Sequence, residues 1–164
     1  MAMSGRRPAR ARAAGAGLLL ATAAAIAAFM PRPPAAAAPA PKFALRVCEK
    51  CINRKVGNGY NPLPVLVKTA QAASAAGWPA PEVQSSSCLG ACEYGPNVRL
   101  VKGDYAIPVA VEGMTEEEAD YKVFLSVSSA SLAERAFGLS SRAIAEAQSS
   151  AKEADEAEAA AAAL

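Results

Sequence analysis

The four cysteines are the residues whose type and spacing bear most directly on chemistry. Cys48 and Cys51 form one close pair, Cys88 and Cys92 form a second, and 36 residues lie between the pairs. The chain contains no histidine. Soft sulfur ligands without imidazole are typical of zinc sites and iron–sulfur clusters. The pattern therefore indicates a site made of thiolates, in which all four cysteines are candidate ligands.

The absence of histidine removes several classes of site. No Ser-His-Asp triad, Cys-His dyad, Rieske centre or histidine-bound metal can be built from this chain. Gly57 and Gly59 do not belong to a phosphate-binding loop, because no Lys-Ser/Thr follows them. The acidic run Glu116–Glu118 is better explained by the electrostatics of a helix start than by a metal site. We therefore assign no catalytic residue and expect the protein not to be an enzyme.

Residues 1–40 have the composition of a targeting leader. Five arginines and no acidic residue occur there, and residues 13–30 carry no charge. An arginine-rich, alanine-rich, acid-free leader predicts a transit peptide for import into the plastid (chloroplast), with mitochondrial import or secretion as alternatives. A membrane anchor is a further alternative, although 18 uncharged residues, many of them alanine, are marginal for spanning a bilayer.

The charge of the remaining chain argues against nucleic acid as a partner. Without the leader, 12 basic and 15 acidic residues remain, which gives a net charge of −3. No basic face suited to nucleic acid is left. Membrane association is expected only through an uncleaved leader.

Hydrophobic periodicity and turn residues predict an α/β domain over residues 41–128. We expect a strand at 42–47, a basic loop at 49–61, a helix from Pro62 or Pro64 to Gly77, strands at 83–87, 97–102 and 105–111, and a helix from Thr115 to about Val127. The core is expected to include Trp78 and Ile107 among its larger side chains. Residues 129–164 are rich in Ser, Ala and Glu, and predict a low-complexity tail that is either helical or disordered.

The segment Ser87–Asn97, with its Cys-Leu-Gly-Ala-Cys and Gly-Pro, resembles the second half-site of the thioredoxin-like [2Fe–2S] ferredoxins. The same pattern occurs in the small iron–sulfur subunit of respiratory complex I. The resemblance covers roughly residues 43–125. It implies a thioredoxin-like ferredoxin domain, with a small mixed sheet and two flanking helices, that binds one [2Fe–2S] cluster through Cys48, Cys51, Cys88 and Cys92, and it makes a homodimer an expectation.

The first cysteine pair departs from that family. Only Glu49 and Lys50 separate Cys48 from Cys51, whereas the family usually has four or more residues there. The Cys-x-x-Cys spacing is also common in zinc knuckles. The resemblance nevertheless implies that Cys51 is a ligand with the other three.

These observations lead to one principal hypothesis and three alternatives. The principal one is a one-electron carrier whose partner is a redox protein: a flavoprotein, another ferredoxin or a multi-subunit oxidoreductase. The alternatives are a zinc-binding structural or interaction module, a thiol–disulfide oxidoreductase that uses Cys48 and Cys51, and a secreted domain held by disulfides. Against the oxidoreductase, the residues from Lys55 to Gly59 have the composition of a loop, whereas a thioredoxin motif opens a helix.

Overall fold

The structure is a computed structural model that describes residues 42–162; the predicted leader lies outside the described residues. Its strands are β1 Phe43–Cys48, β2 Glu82–Ser86, β3 Val98–Lys102 and β4 Ile107–Pro108. Its α-helices are α1 Glu49–Asn53, α2 Leu63–Ala75, α3 Glu116–Tyr121 and α4 Ala130–Ala162, and Cys92–Tyr94 form one 3₁₀ turn. The α/β class is confirmed for the described residues; α2 and α3 lie where helices were expected, α4 covers the predicted tail, and α1 was not expected.

The four strands form one mixed sheet in the order β2-β1-β3-β4. β1 runs parallel to β2, with Cys48 opposite Ser86, and β3 is antiparallel to both β1 and β4. Because parallel neighbours end at the same edge of a sheet, the carboxyl ends of β1 and β2 lie side by side. Both cysteine pairs lie at this edge.

The hydrophobic core lies on one face of the sheet, under α2 and α4. Leu45 and Val47 of β1 and Val98 and Leu100 of β3 are fully buried there. Alternating residues of a strand point to opposite faces, so Arg46 and Arg99 point to the other side. The core face packs against the helices, so the opposite face and the sheet edge are available to a functional site.

Local signals account for the ends of α2 and α3. Pro62 precedes α2, and the chain turns away after it at Gly77, which has φ +76°. Thr115 and Glu118 form a capping box at the predicted start of α3. The prediction that this helix continues to Val127 is wrong, because Lys122 adopts the left-handed conformation and ends it. Phe124 then bonds to Val98 through both backbone groups, at N···O distances of 2.8 and 3.1 Å.

Two predicted core residues are exposed, and one predicted strand is short. Trp78 is 68% exposed because it follows the turn that ends α2, and Ile107 is 59% exposed because it lies in the edge strand β4. The strand predicted at 105–111 is reduced to two residues. Pro108 cannot donate a ladder hydrogen bond, which limits pairing at this edge.

The C-terminal segment is helical, and its first half belongs to the core. Ala133, Ala136, Phe137 and Ile144 of α4 are buried in the main cluster, whereas residues 148–162 are exposed. The predicted domain boundary at residue 128 therefore does not mark the end of the packed core. Small side chains on one stripe of α4 let the helix approach the sheet closely, so few large apolar residues are needed. In the described part of the chain, no helix has both the length and the apolarity to cross a membrane.

Candidate metal centre

Both cysteine pairs lie at the same edge of the sheet. Cys48 is the last residue of β1, and Cys88 follows the end of β2 by two residues. The two segments are joined by hydrogen bonds: the backbone N–H of Lys50 donates to the Ser87 carbonyl oxygen over 3.2 Å, and the Cys48 thiol donates to the same oxygen over 3.9 Å. Pairs that are far apart in the chain are thus brought together by parallel strand pairing.

The two pairs differ in their exposure to solvent. Cys48 and Cys51 are buried, with 0% and 1% of their surface exposed, and they pack against Leu89 and Val56. Cys88 is exposed and Cys92 is half-buried, with 3.5 Å between their sulfur atoms. None of the four is in a disulfide. We therefore call Cys48 and Cys51 the inner pair and Cys88 and Cys92 the outer pair, and the segment between Cys88 and Cys92 the outer loop.

The thiols are close enough to shift one another's pKa. Burial, together with the neighbouring Cys48 thiol, raises the pKa of Cys51 to about 12. The backbone N–H of Gly90 and the Cys92 thiol lower the pKa of Cys88. A hydrogen bond with Cys88, together with burial, raises the pKa of Cys92. Ionisation of the buried Cys51 thiol is unfavourable, because the thiolate charge would be removed from water. A bound metal cation would offset that charge and favour the thiolate.

The loop between Cys88 and Cys92 is held by a buried side chain. Gly90 and Ala91 both have positive φ, at +81° and +47°, so the loop turns sharply toward the sheet. Asn97 is fully buried, and its Nδ2 donates to the carbonyl oxygens of Gly90 over 3.1 Å and Ala91 over 2.7 Å. Gly90, Ala91 and Asn97 all belong to the Ser87–Asn97 motif, but the sequence analysis assigned no role to Asn97. The available signal was its position directly after Gly-Pro.

Gly95 lies in direct contact with the inner pair. A Cβ at this position would overlap the Cys51 sulfur and lie 2.8 Å from the Cys51 Cβ. The Gly95–Pro96 peptide is cis. From the other side, a Cβ at Gly57 would come within 3.1 Å of the Gly95 carbonyl oxygen. The backbone thus passes Cys51 at a distance that only glycine permits.

Arg99 on β3 is a half-buried cation behind the outer loop. Its Nη2 donates to the carbonyl oxygens of Leu89 over 2.7 Å and Tyr121 over 3.2 Å, and its Nε donates to that of Lys122 over 3.2 Å. Burial lowers the pKa of Arg99, and the Cys48 and Cys88 thiols oppose that shift. Sequence reasoning did not identify this residue, since nothing in a strand pattern distinguishes it.

Three exposed cations follow Cys48 within seven residues of the chain, and we call them the basic rim: Lys50, Arg54 and Lys55. Lys50 adds to the lowering of the Cys88 pKa, and Arg54 opposes the rise in the pKa of Cys92. In residues 42–162 no carboxylate forms a salt bridge with any of the three. Lys50 and Arg54 therefore act as positive charges on Cys88 and Cys92, and the exposed Glu93 directly after Cys92 carries the opposite charge.

The expected loop after Cys48 is wrong in its first part. Residues 49–53 form α1, so Cys48 ends a strand and Cys51 lies on a short helix. The compositional argument against a thiol–disulfide oxidoreductase at this pair no longer holds. Burial provides a different argument against that activity. Cys48 and Cys51 are not accessible to a disulfide of another protein, and the raised pKa of Cys51 disfavours its thiolate.

The residues that could hold a metal are these four thiols. Across residues 42–162, no group of three or more Cys, Asp or Glu side chains is arranged around a point where a single metal ion would be held. The donor set is soft, and two of its members are enclosed.

A scan against protein-family models and searches of curated proteins and of solved structures find no match to this chain.

Proposed function

We propose that the protein is a one-electron carrier that holds a single [2Fe–2S] cluster through Cys48, Cys51, Cys88 and Cys92. The observation that supports this function is the position of the two cysteine pairs, at the adjacent ends of the parallel strands β1 and β2. Two pairs on neighbouring segments are the ligand arrangement that a two-iron cluster requires, with one pair for each iron.

The surroundings of the thiols fit a negatively charged cluster. The backbone N–H of Gly90 lowers the pKa of Cys88, which is the effect of a donor that stabilises a thiolate. Gly95 lets the backbone pass close to Cys51, where any side chain would overlap the sulfur. Arg99 supplies a positive charge nearby. The donor, the close backbone approach and the charge thus agree with the chemistry of the group.

When bound, such a cluster takes up one electron and later releases one, without making or breaking a bond in the protein. Val56 and Leu89 cover the inner cysteines and exclude water, while Cys88 faces solvent. Electrons from a redox protein partner would therefore enter and leave on the outer side. The basic rim lies on this side, where it favours an acidic partner such as a flavoprotein, a ferredoxin or an oxidoreductase subunit.

We also propose a thioredoxin-like ferredoxin fold for residues 43–125. Support comes from the order of the segments, with the first cysteine pair after β1, a helix next and the second pair after β2. Import into the plastid by the leader, and pairing of two copies as a homodimer, remain proposals that rest on composition and on the resemblance.

The test is the visible absorption spectrum of the anaerobically purified protein, with iron and acid-labile sulfide analysis. We expect a coloured protein with equal iron and sulfide, and we expect Cys88→Ser and Cys92→Ser each to lose the colour, because each removes one ligand. Ser87→Ala, which changes only the exposed hydroxyl next to Cys88, is the matched control and should keep it. A colourless protein with one zinc would instead identify a structural zinc module.

A second function, thiol–disulfide exchange, is supported by the outer pair rather than by the inner one. Cys88 is exposed, its pKa is lowered by the Gly90 N–H, and the Cys92 sulfur lies 3.5 Å away. The Cys88 thiolate would attack a disulfide of the substrate protein, forming a mixed disulfide and releasing one substrate thiol. The Cys92 thiolate would then attack the Cys88 sulfur and release the second substrate thiol. Two electrons would pass to the substrate, leaving a Cys88–Cys92 disulfide that a dithiol protein reduces. A colourless, metal-free protein whose Cys88 and Cys92 cycle reversibly would favour this function.

A further inference from the structure

Arg99 carries a permanent positive charge in a place that offers it only neutral acceptors. The three atoms that receive its hydrogen bonds are the carbonyl oxygens of Leu89, Tyr121 and Lys122. Within residues 42–162 no carboxylate forms a salt bridge with it. Charged groups withdrawn from water are normally paired with an opposite charge, because desolvation is costly. Arg99 therefore lacks the anion that its burial leads us to expect.

The other arginine with several side-chain hydrogen bonds shows the ordinary solution. Arg135 is also half-buried, and it faces the Glu118 carboxylate with N···O distances of 3.0 and 3.1 Å. Leu89, whose carbonyl oxygen accepts the 2.7 Å bond from Arg99, directly follows Cys88 in the chain, and the thiols of Cys48 and Cys88 act on the guanidinium. An anion formed by these sulfurs would therefore stand close to Arg99.

We propose that Arg99 is the counter-charge of the thiolate site, a positioning residue that stabilises the negatively charged centre and raises its reduction potential. This inference rests on the proposed electron-carrier function and deepens it. The hydrogen bonds to Leu89, Tyr121 and Lys122 hold the guanidinium in place, on the sheet face opposite the Leu45 and Val98 core. Leu89 itself lies between Cys88 and Cys92, so the same residue links the charge to the ligand loop.

Adding an electron makes a four-thiolate centre more negative, so a nearby fixed cation favours the reduced form. Arginine keeps its charge at every relevant pH. Because Arg99 is half-buried, salt screens its effect less than it screens that of the exposed basic rim. The contribution of Arg99 should therefore persist at high ionic strength.

The experiment compares the full-length wild type with Arg99→Gln, Arg99→Met and Arg99→Lys. The midpoint potential is measured by spectroelectrochemical titration in low salt and in 1 M NaCl. Both neutral variants should shift the redox equilibrium toward the oxidised form by about tenfold, or about 59 mV for one electron. Arg99→Lys, which retains the charge but not the planar fork, should recover most of the shift. Arg142→Gln is the matched control, because Arg142 is an exposed arginine on α4, which packs on the core face of the sheet; the expected change is below about twofold.

A second readout does not depend on a bound cluster. In metal-free protein, the rate at which neutral iodoacetamide alkylates Cys88 should fall about threefold in Arg99→Gln, because less thiolate is present, and Arg99→Lys should restore it. Equal effects of the Lys, Gln and Met variants would overturn the proposal, since hydrogen bonding rather than charge would then be responsible. Unchanged potentials in both neutral variants would also overturn it. Wild-type protein without iron and sulfide would overturn the electron-carrier function instead, and the alkylation rates would still decide the role of Arg99.

Discussion

At the scale of single residues, the candidate site depends on groups that approach the sulfurs closely. Gly95 touches Cys51, Asn97 ties the outer loop to the sheet, and Arg99 places a charge behind it. These three residues are near one another in the chain, yet each acts on a different part of the site. Together they explain why the segment after Cys92 matters as much as the cysteines themselves.

Replacing Gly95 with alanine should damage the site. The added methyl group would overlap the Cys51 sulfur, and neither the buried Cys51 nor the backbone has room to move away. We expect a loss of about 2 kcal/mol in the free energy of unfolding, typical of overpacking, together with lower metal content. Urea denaturation followed by circular dichroism measures the first, and iron analysis the second.

Gly138→Ala provides the control for that substitution. A Cβ at Gly138 meets nothing within 4 Å, and the residue lies in the middle of α4. Alanine there should stabilise the protein by up to about 1 kcal/mol, because alanine has the higher helix propensity. If Gly95→Ala were as stable and as rich in metal as Gly138→Ala, the close approach at Cys51 would have no consequence.

At the scale of secondary structure elements, Glu118 joins α3 to α4. Its carboxylate accepts hydrogen bonds from the backbone N–H groups of Thr115 and Leu125 and from both Nη atoms of Arg135. Arg135 also donates to the Gly113 carbonyl oxygen over 2.8 Å. Burial would raise the pKa of Glu118, but the bonds with Arg135 and Thr115 outweigh it and the pKa is lowered. The carboxylate is therefore bound in its ionised form.

Glu118→Gln should lower stability in a pH-dependent way. Since the folded pKa lies below the ordinary value of 4.5, the contribution of the ionised form is present above that pH and is lost as the pH falls through the folded pKa. We expect a cost of about 2 kcal/mol at pH 7 that shrinks as the pH falls from 4.5 through the lowered pKa of Glu118. Urea denaturation from pH 7 to pH 3 measures it. Glu116→Gln on the same turn is exposed, and a similar cost there would contradict the assignment to Glu118.

The two halves of α4 should respond differently to truncation. The sequence analysis places residues 129–164 in a tail outside the domain, but Phe137 and Ile144 are buried in the core, so we compare removal of residues 131–164 with removal of residues 148–164. The longer truncation should cost at least about 4 kcal/mol and unfold a domain of this size. Removing residues 148–164 should cost less than about 1 kcal/mol, because residues 148–162 are exposed. Thermal unfolding by circular dichroism distinguishes the two, and equal stability would show that α4 does not hold the core.

At the scale of the whole molecule, the charge is unevenly distributed around the candidate site. Residues 41–164 have a net charge of −3, yet the cations Lys50 and Arg54 act on the exposed side of the cysteine site. A local field of one sign near an exposed redox centre steers partners of the opposite sign. The orientation of a docked partner is therefore expected to follow this rim rather than the net charge.

Reversal of the rim should change the reaction with charged oxidants. In the triple variant Lys50→Glu, Arg54→Glu, Lys55→Glu, oxidation of the reduced protein by ferricyanide should slow about tenfold at low ionic strength, and oxidation by hexaamminecobalt(III) should accelerate. Both changes should shrink at about 0.5 M salt because of screening. Stopped-flow absorbance measures the rates. The variant Lys68→Glu, Lys102→Glu, Lys152→Glu has the same net charge, and equal rates in the two variants would rule out a local effect of the rim.

The sequence by itself determined the elements whose signals are local. β1, β2, β3 and α2 follow from alternation, periodicity and the Pro and Gly residues that bound them, and the capping box at Thr115 follows from four adjacent residues. The cysteine spacing and the missing histidine limited the chemistry to thiols. Such features could be predicted because the interactions that produce them lie within a few residues of each other.

The tertiary structure decided what depends on distant contacts. The parallel pairing of β1 with β2 brings the two cysteine pairs to one edge, and the docking of α4 buries Phe137, which composition had assigned to a solvated tail. Residue type alone does not determine whether a cysteine or a tryptophan is buried. The tertiary structure buries Cys51 and leaves Cys88 and Trp78 exposed to solvent. The contact of Gly95 with Cys51 and the unpaired charge of Arg99 arise in the same way, since burial and charge pairing are properties of the assembled neighbours rather than of the residue itself.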